Sequence, residues 1–204
     1  MPTSFDLFGT LVDAPRPDDP ASAVAAELDA RGIPVPDDWR AAYRDPHVDV
    51  PAGAELALPD HVAAALADRG VAADPATVRD AVVATFDPER VETRPGARGA
   101  VARAAERGPV AVLSNCSVPG LADRALARSA LDPAAFDAVV TSVACGWCKP
   151  DARAFRAVAD RLDADLTDLV HVGDDPATDG GAADAGARSV LLSETPLNRV
   201  GEVC

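Results

Sequence analysis

The sequence predicts an α/β protein: a parallel sheet covered on both faces by helices, with an all-helical segment inserted after the first strand. Three observations predict it. From residue 94 onward, short fully apolar runs alternate with helix-length stretches, and strands separated by helices of that length pair in parallel and are buried on both faces. Residues 14–93 show helical spacing without strand runs. A length of 204 residues suits one substantial core plus a subdomain.

Taken in order, Ser4-Phe5-Asp6-Leu7-Phe8 is a short, mostly apolar run that stops at Gly9-Thr10, as a buried strand does on meeting a loop. Pro15, Pro17 and Pro20 then break the pattern, and Ala21 to Arg31 carries Ala, Val and Leu at helical spacing before Gly32. Pro59 to Arg69 before Gly70, and Asp74 to Phe86, repeat it. In the second part, Pro95 to Arg107 reads as helix and Pro109 to Leu113 as a buried strand ending at Ser114-Asn115. Leu121 to Ala130 is helical, Phe136 to Thr141 a strand, and Asp151 to Leu162 a helix entered through Pro150. Leu169 to Val172 is a strand running into Gly173-Asp174-Asp175, and a short helix at Ala182 to Ala185 precedes a strand at Ser189 to Leu192.

Hydrophobic residues make up 48% of the chain and aromatics only 4%, so the core must be built from closely packed Ala, Val and Leu. Lys and Arg total 19 against 33 Asp and Glu, a net charge of −14, which argues against nucleic acid or an anionic membrane as partner. An anionic small-molecule substrate must then be captured locally, by a metal or a focused cationic pocket. Acidity with scarce Lys matches adaptation to a high-salt cytoplasm, where salt screens self-repulsion. No basic-then-apolar start and no apolar run near ~18 residues occur, so the expectation is a cytoplasmic protein without signal peptide or membrane span. The sequence sets no oligomeric state.

Cys116, Cys145, Cys148 and Cys204 read as reduced, buried or loop thiols. Cys145-Gly-Trp-Cys148 has redox or half-zinc spacing, but no second ligand pair accompanies it, and His47, His61 and His171 offer no ligand spacing. Lys149 is the only lysine in the chain. A composition that otherwise uses arginine alone keeps an ammonium where a compact point charge is needed, beside something anionic.

In open parallel sheets the functional crevice lies beyond the carboxyl ends of the strands. That rule gathers Asp6, Ser114, Lys149 and Asp174 at one rim. Phe5-Asp6-Leu7-Phe8-Gly9-Thr10-Leu11, Leu113-Ser114-Asn115, Lys149-Pro150-Asp151 and Gly173-Asp174-Asp175 with Asp179, in that order, resemble the haloacid dehalogenase superfamily of hydrolases over essentially the whole chain. The resemblance implies a Rossmann-like three-layer α/β core formed by residues 1–13 and 94–204, with residues 14–93 as a helical cap that closes over the crevice. It implies Asp6 as nucleophile of a covalent intermediate. It also implies a Mg²⁺ ion held by Asp6, the Phe8 carbonyl and Asp174, offsetting the repulsion between Asp6 and a phosphate dianion. Lys149 would pair with Asp6 and the transferring group, Ser114, Asn115 and Thr10 would hold the substrate, and Asp175 and Asp179 would orient the metal site from behind.

One position departs from the family's phosphatases. They usually carry a second Asp two residues after the nucleophile, a proton donor worth about 10²–10⁴-fold in rate, and here that position is Phe8. An aromatic there resembles the dehalogenase branch, which works without metal. The acidic Gly173-Asp174-Asp175 run opposes that branch, because an uncompensated carboxylate cluster would repel an anionic haloacid. The expected function is therefore Mg-dependent hydrolysis of a small phosphorylated metabolite, with a leaving group that needs little protonation, such as an acyl phosphate or phosphoanhydride. The alternatives are a metal-independent 2-haloacid dehalogenase and a weakly active or non-catalytic relative that binds a phosphorylated ligand. Trp39, Arg40, Tyr43, Arg44 and His47 form the one aromatic and basic cluster of residues 14–93, available to recognise a ring or second anion or to form that segment's own core.

Overall fold

The computed structural model describes residues 1–203, with side chains through Gly201; Cys204 lies outside the described residues. Five parallel strands form the sheet: β1 (Thr3–Phe5), β4 (Val110–Ser114), β5 (Ala138–Thr141), β6 (Val170–Gly173) and β7 (Arg188–Leu191), in the order β5-β4-β1-β6-β7. β1 lies in the centre, flanked by β4 and β6, so the loops leaving all three strands meet at one rim. Two further strands, β2 (Val12–Asp13) and β3 (Glu92–Thr93), form an antiparallel ribbon where the chain leaves the sheet and returns to it.

Between β2 and β3 lie α1 (Pro20–Ala30), α2 (Trp39–Ala42), α3 (Leu58–Asp68) and α4 (Pro75–Thr85). Their starts are chemically marked. The Asp19 carboxylate accepts the Ser22 N–H at 3.2 Å and Asp74 accepts that of Thr77 at 2.9 Å, each just before a proline in the first turn. These helices enclose their own apolar core around Val24, Leu28, Trp39, Val62, Leu66 and Val82, with Cys116 and Val118 of the sheet subdomain packed into it.

The sheet is covered on both faces. On one, Phe5, Leu7, Val112 and Val172 pack with α5 (Ala97–Ala105), α6 (Leu121–Arg128) and α10 (Leu197–Val203). On the other, Leu113, Val140 and Leu169 pack on Phe155 and Val158 of α8 (Ala152–Arg161) and on α9 (Gly181–Ala185). A single turn, α7 (Ser142–Cys145), continues β5. This is the three-layer α/β architecture expected.

Several boundaries differ from expectation. β1 stops at Phe5 rather than running to Phe8, because Leu11 N–H and Val12 N–H both turn back to the Leu7 carbonyl at 2.9 Å and close a tight loop. The β2–β3 ribbon, α2 and α10 carried no periodic signal, being only two to seven residues long. No helix among the described residues is long and apolar enough to cross a membrane.

Candidate active site

Asp6 follows β1 directly, and its N–H still donates to the Val172 carbonyl at 2.8 Å, so the sheet fixes the backbone from which its carboxylate projects. Ser114 ends β4 and Asp174 follows β6. Lys149 sits in the loop before α8, preceding a cis peptide bond to Pro150. These four residues line one crevice of about 300 Å³ together with Phe8, Arg16, Asn115, Asp175, Thr178 and Asp179.

Lys149 is the hub. It is 3% exposed, and its Nζ donates to Asp6 Oδ1 at 2.8 Å and to Asp179 Oδ1 at 2.6 Å. An ammonium has three donors, so one N–H remains for a bound group. Asn115 clamps the backbone of the same residue: its Nδ2 donates to the Lys149 carbonyl at 2.9 Å and its Oδ1 accepts the Lys149 N–H at 2.8 Å. The Asn115 side chain therefore holds the lysine loop, leaving only its backbone for the substrate role expected of it. Ser114 is buried, and its hydroxyl makes no hydrogen bond within the described residues.

Behind the lysine runs a buried polar chain that sequence reading missed. The Asp179 carboxylate also takes His171 Nε2 at 3.0 Å, and His171 Nδ1 lies 2.8 Å from Ser4 Oγ. Burial holds the His171 pKa down to about 4, with the Lys149 charge adding to the effect and Asp179 opposing it. The ring is thus neutral at pH 7, and because a carboxylate only accepts, Nε2 carries the proton while Nδ1 accepts from Ser4. Burial works to raise the Asp179 pKa, but the His171 hydrogen bond and the Lys149 charge outweigh it and hold this carboxyl well below the ordinary range. Asp6 is shifted the other way: burial raises its pKa, Lys149 counteracts, and the Asp179 charge adds to the rise.

Two expected roles, those of Thr10 and Asp175, differ in these contacts. Thr10 is fully buried and donates its hydroxyl to Asp174 Oδ1 at 2.7 Å, so it orients that acid and does not face a substrate. Asp175 turns its carboxylate onto its own turn, accepting from Ala177 N–H at 2.8 Å and Thr178 Oγ1 at 3.2 Å, and not toward a metal position. Asp179 anchors Lys149 and His171 and accepts the Asp175 N–H at 3.0 Å. The arrangement requires glycine at two points. A Cβ on Gly9, whose φ is +91°, would lie 2.7 Å from Asp174 Oδ2, and one on Gly173 would lie 2.0 Å from Asp179 Cγ.

Carboxylate oxygens of Asp6, Asp174 and Asp179 lie within 4.8 Å of one another. Asp6 and Asp179 share Lys149, whereas Asp174 is exposed and has no cationic side chain paired with it among the described residues. A second cluster, also unforeseen, joins the helical insert to the lysine loop. The Glu55 carboxylate accepts from Ser142 Oγ and, at 3.2 Å, from Cys148 Sγ, and Ser142 Oγ accepts the Cys116 N–H at 2.8 Å. Burial, reinforced by Glu55, pushes the Cys148 thiol up to about 12. Cys116, Cys145 and Cys148 are free thiols. The aromatic and basic cluster of the insert stays away from the crevice: Trp39 Nε1 donates to the Ala21 carbonyl at 2.8 Å, Arg40 pairs with Asp19, and His47 bridges Ala42 and Asp68.

A family profile described as haloacid dehalogenase-like hydrolase matches residues 4–186. The chain belongs to the haloacid dehalogenase-like hydrolases. Solved structures share this hydrolase fold along nearly its whole length. A 2-haloacid dehalogenase from Pseudomonas syringae pv. Tomato DC3000 superposes with a TM-score of 0.70 at 22% identity, covering 99% of this chain and 96% of that one. CbbY from Rhodobacter sphaeroides, in complex with xylulose-(1,5)bisphosphate, gives 0.59 at 18% identity over 93% and 84%. The HAD-hydrolase YfnB from Bacillus subtilis, bound to magnesium, gives 0.53 at 20% identity over 93% and 87%. At such identities the likeness carries the fold of this haloacid dehalogenase-like hydrolase and not its substrate. No curated protein matches it by sequence.

Proposed function

We propose that this hydrolase cleaves a small phosphorylated metabolite in a Mg²⁺-dependent reaction through an aspartyl intermediate on Asp6, with residues 14–93 acting as the cap. The carrying observation is the charge imbalance in the crevice: three carboxylates converge within 4.8 Å, and the one lysine among them bonds only Asp6 and Asp179. The donor set fits the ion. Carboxylates of Asp6 and Asp174, with the Phe8 carbonyl as a further candidate, are hard oxygen ligands of the kind magnesium takes. When bound there, the ion supplies charge neutralisation between carboxylate and phosphoryl oxygens.

The chain's own residues do the rest. Asp6 attacks phosphorus, Lys149 directs its remaining N–H at the transferring group, and the Ser114 hydroxyl and Asn115 N–H take other phosphoryl oxygens. Thr10 holds Asp174 in orientation. Phe8 offers no proton, so the departing group leaves as an anion, as an acyl phosphate or phosphoanhydride allows. Phe8 also favours a second reading, a metal-independent 2-haloacid dehalogenase in which Asp6 attacks carbon. A phosphate-release screen over metabolites at high salt, with magnesium and with chelator, tests the proposal. Mg-dependent release supports it, and chloride release from 2-haloacids that survives chelation transfers the assignment to the second reading.

A further inference from the structure

A second cavity, of about 140 Å³, adjoins the crevice around Asp6 on the insert side. Phe8, Arg16 and Asn115 line both, so these three residues stand between the two spaces. Apart from Phe8, the wall of the second cavity is largely apolar: Leu58, Phe86, Cys116, Val118 and Leu121. Its size is close to that of an engineered protein cavity of about 150 Å³ that holds benzene. Arg16 stands at the junction, exposed, its guanidinium carbon 5.9 Å from the Phe8 ring centre. It forms no ion pair among the described residues, in a chain with 33 acidic side chains.

The position of Arg16 bears on the missing acid. A guanidinium does not release a proton in a protein, so it can stabilise a departing anion but cannot protonate a departing alkoxide. Beside Phe8 it selects leaving groups that are stable as anions at neutral pH, and a carboxylate, with an ordinary pKa of about 4, is one. The planar fork of Arg also matches the two oxygens of a carboxylate.

We propose that Arg16 and the cavity behind Phe8 select an acyl phosphate with an apolar acyl group up to about the size of benzoyl, the group seated against Phe8 and the departing carboxylate received by Arg16. The proposal deepens, and rests on, the phosphoryl-transfer reading of Asp6. In the reaction the Asp6 carboxylate attacks phosphorus, and the bond between phosphorus and the acyl oxygen breaks. The bonding pair leaves on the carboxylate, which departs unprotonated. Water then attacks phosphorus of the aspartyl phosphate, Asp6 is released, and phosphate and one proton pass to solvent.

The test uses the full chain with magnesium and two readouts. The first is phosphate release from benzoyl, acetyl and phenyl phosphate. The second is calorimetric binding of the products benzoate and acetate. We expect kcat/KM to fall in the order benzoyl, acetyl, phenyl, and benzoate to bind at least about tenfold tighter than acetate. Arg16→Ala should lower kcat on benzoyl phosphate and weaken benzoate by about tenfold or more, with partial rescue in Arg16→Lys. Leu58→Trp should abolish the preference for benzoate over acetate, and Ala14→Phe, at the cavity mouth, replaces it if circular dichroism shows that variant unfolded. Equal binding of benzoate and acetate, or benzoate binding indifferent to both Arg16→Ala and the filled cavity, overturns the proposal. If no phosphate is released from any of the three compounds while benzoate binding keeps its dependence on Arg16 and the cavity, the phosphoryl reading falls and the recognition of an apolar carboxylate stands.

Discussion

His171 gives the most quantitative test of the buried chain behind Lys149. Its ring is fully buried, and its pKa falls from the ordinary 6.5 to about 4. A folded-state pKa below the unfolded value means that the unfolded chain binds a proton first as pH drops. The stability tied to His171 is therefore complete above pH 6.5 and lost as pH falls from there toward 4. A full pH unit corresponds to about 1.4 kcal/mol, but the slope is only partial near each of the two pKa values, so between pH 6.5 and 4.5 the loss is roughly 2 kcal/mol. Asp6, with a raised pKa, acts in the opposite sense, adding stability as pH falls, while the depressed Asp179 loses its contribution only below the ordinary carboxylate range. The comparison is therefore with His171→Gln, which keeps an amide N–H for Asp179 and the same surface carboxylates. Urea unfolding of both proteins at pH 6.5 and 4.5 should show the wild type losing roughly 2 kcal/mol more than the variant. Parallel losses would refute a buried, neutral His171.

Lys149→Arg should lower turnover by about 10² or more, because a guanidinium cannot occupy the slot in which Nζ lies 2.8 Å from Asp6 and 2.6 Å from Asp179; near-wild-type turnover in steady-state kinetics would contradict the reading of the lone lysine. Phe8→Asp should raise hydrolysis of phenyl phosphate by about 10²-fold through restored proton donation, and an unchanged rate would show that the acid is not what limits monoesters. Thr10→Val keeps the shape but removes the 2.7 Å hydrogen bond to Asp174. Its Mg²⁺ affinity, measured by calorimetry, should fall about 10–100-fold, and wild-type affinity would mean that Asp174 needs no such support.

The sheet was legible because its strands are short apolar runs set between helices, and the strand-end rule named Asp6, Ser114, Lys149 and Asp174, which the fold does bring to one crevice. The side-chain partners were much less so. Ser4 and His171 are register neighbours on β1 and β6, and the available signal was a histidine in the otherwise apolar β6 facing a strand whose first two residues, Thr3 and Ser4, are polar. Reading each strand alone hides it. Glu55 lies in a loop 87 residues from Ser142, and no local pattern reports a contact made across that separation. Thr10 and Asp175 were assigned by position in a motif, whereas their hydrogen bonds depend on the turn geometry each loop adopts. The cavity behind Phe8 is a product of packing between insert and sheet subdomain, and neither segment shows it separately.

The proposed reaction has Asp6 attacking phosphorus beside a divalent cation. Hydrolysis of acetyl phosphate in ¹⁸O-labelled water, with magnesium and with chelator, followed by mass spectrometry of the phosphate and of the peptide carrying Asp6, tests that directly. The expected result is magnesium-dependent release with label in the phosphate, none in Asp6, and a phosphoryl group on the Asp6 peptide when turnover is quenched in acid; an Asp6 peptide that never carries phosphoryl would mean direct attack by water. Label in the Asp6 carboxylate, or release unaffected by chelation, would contradict it.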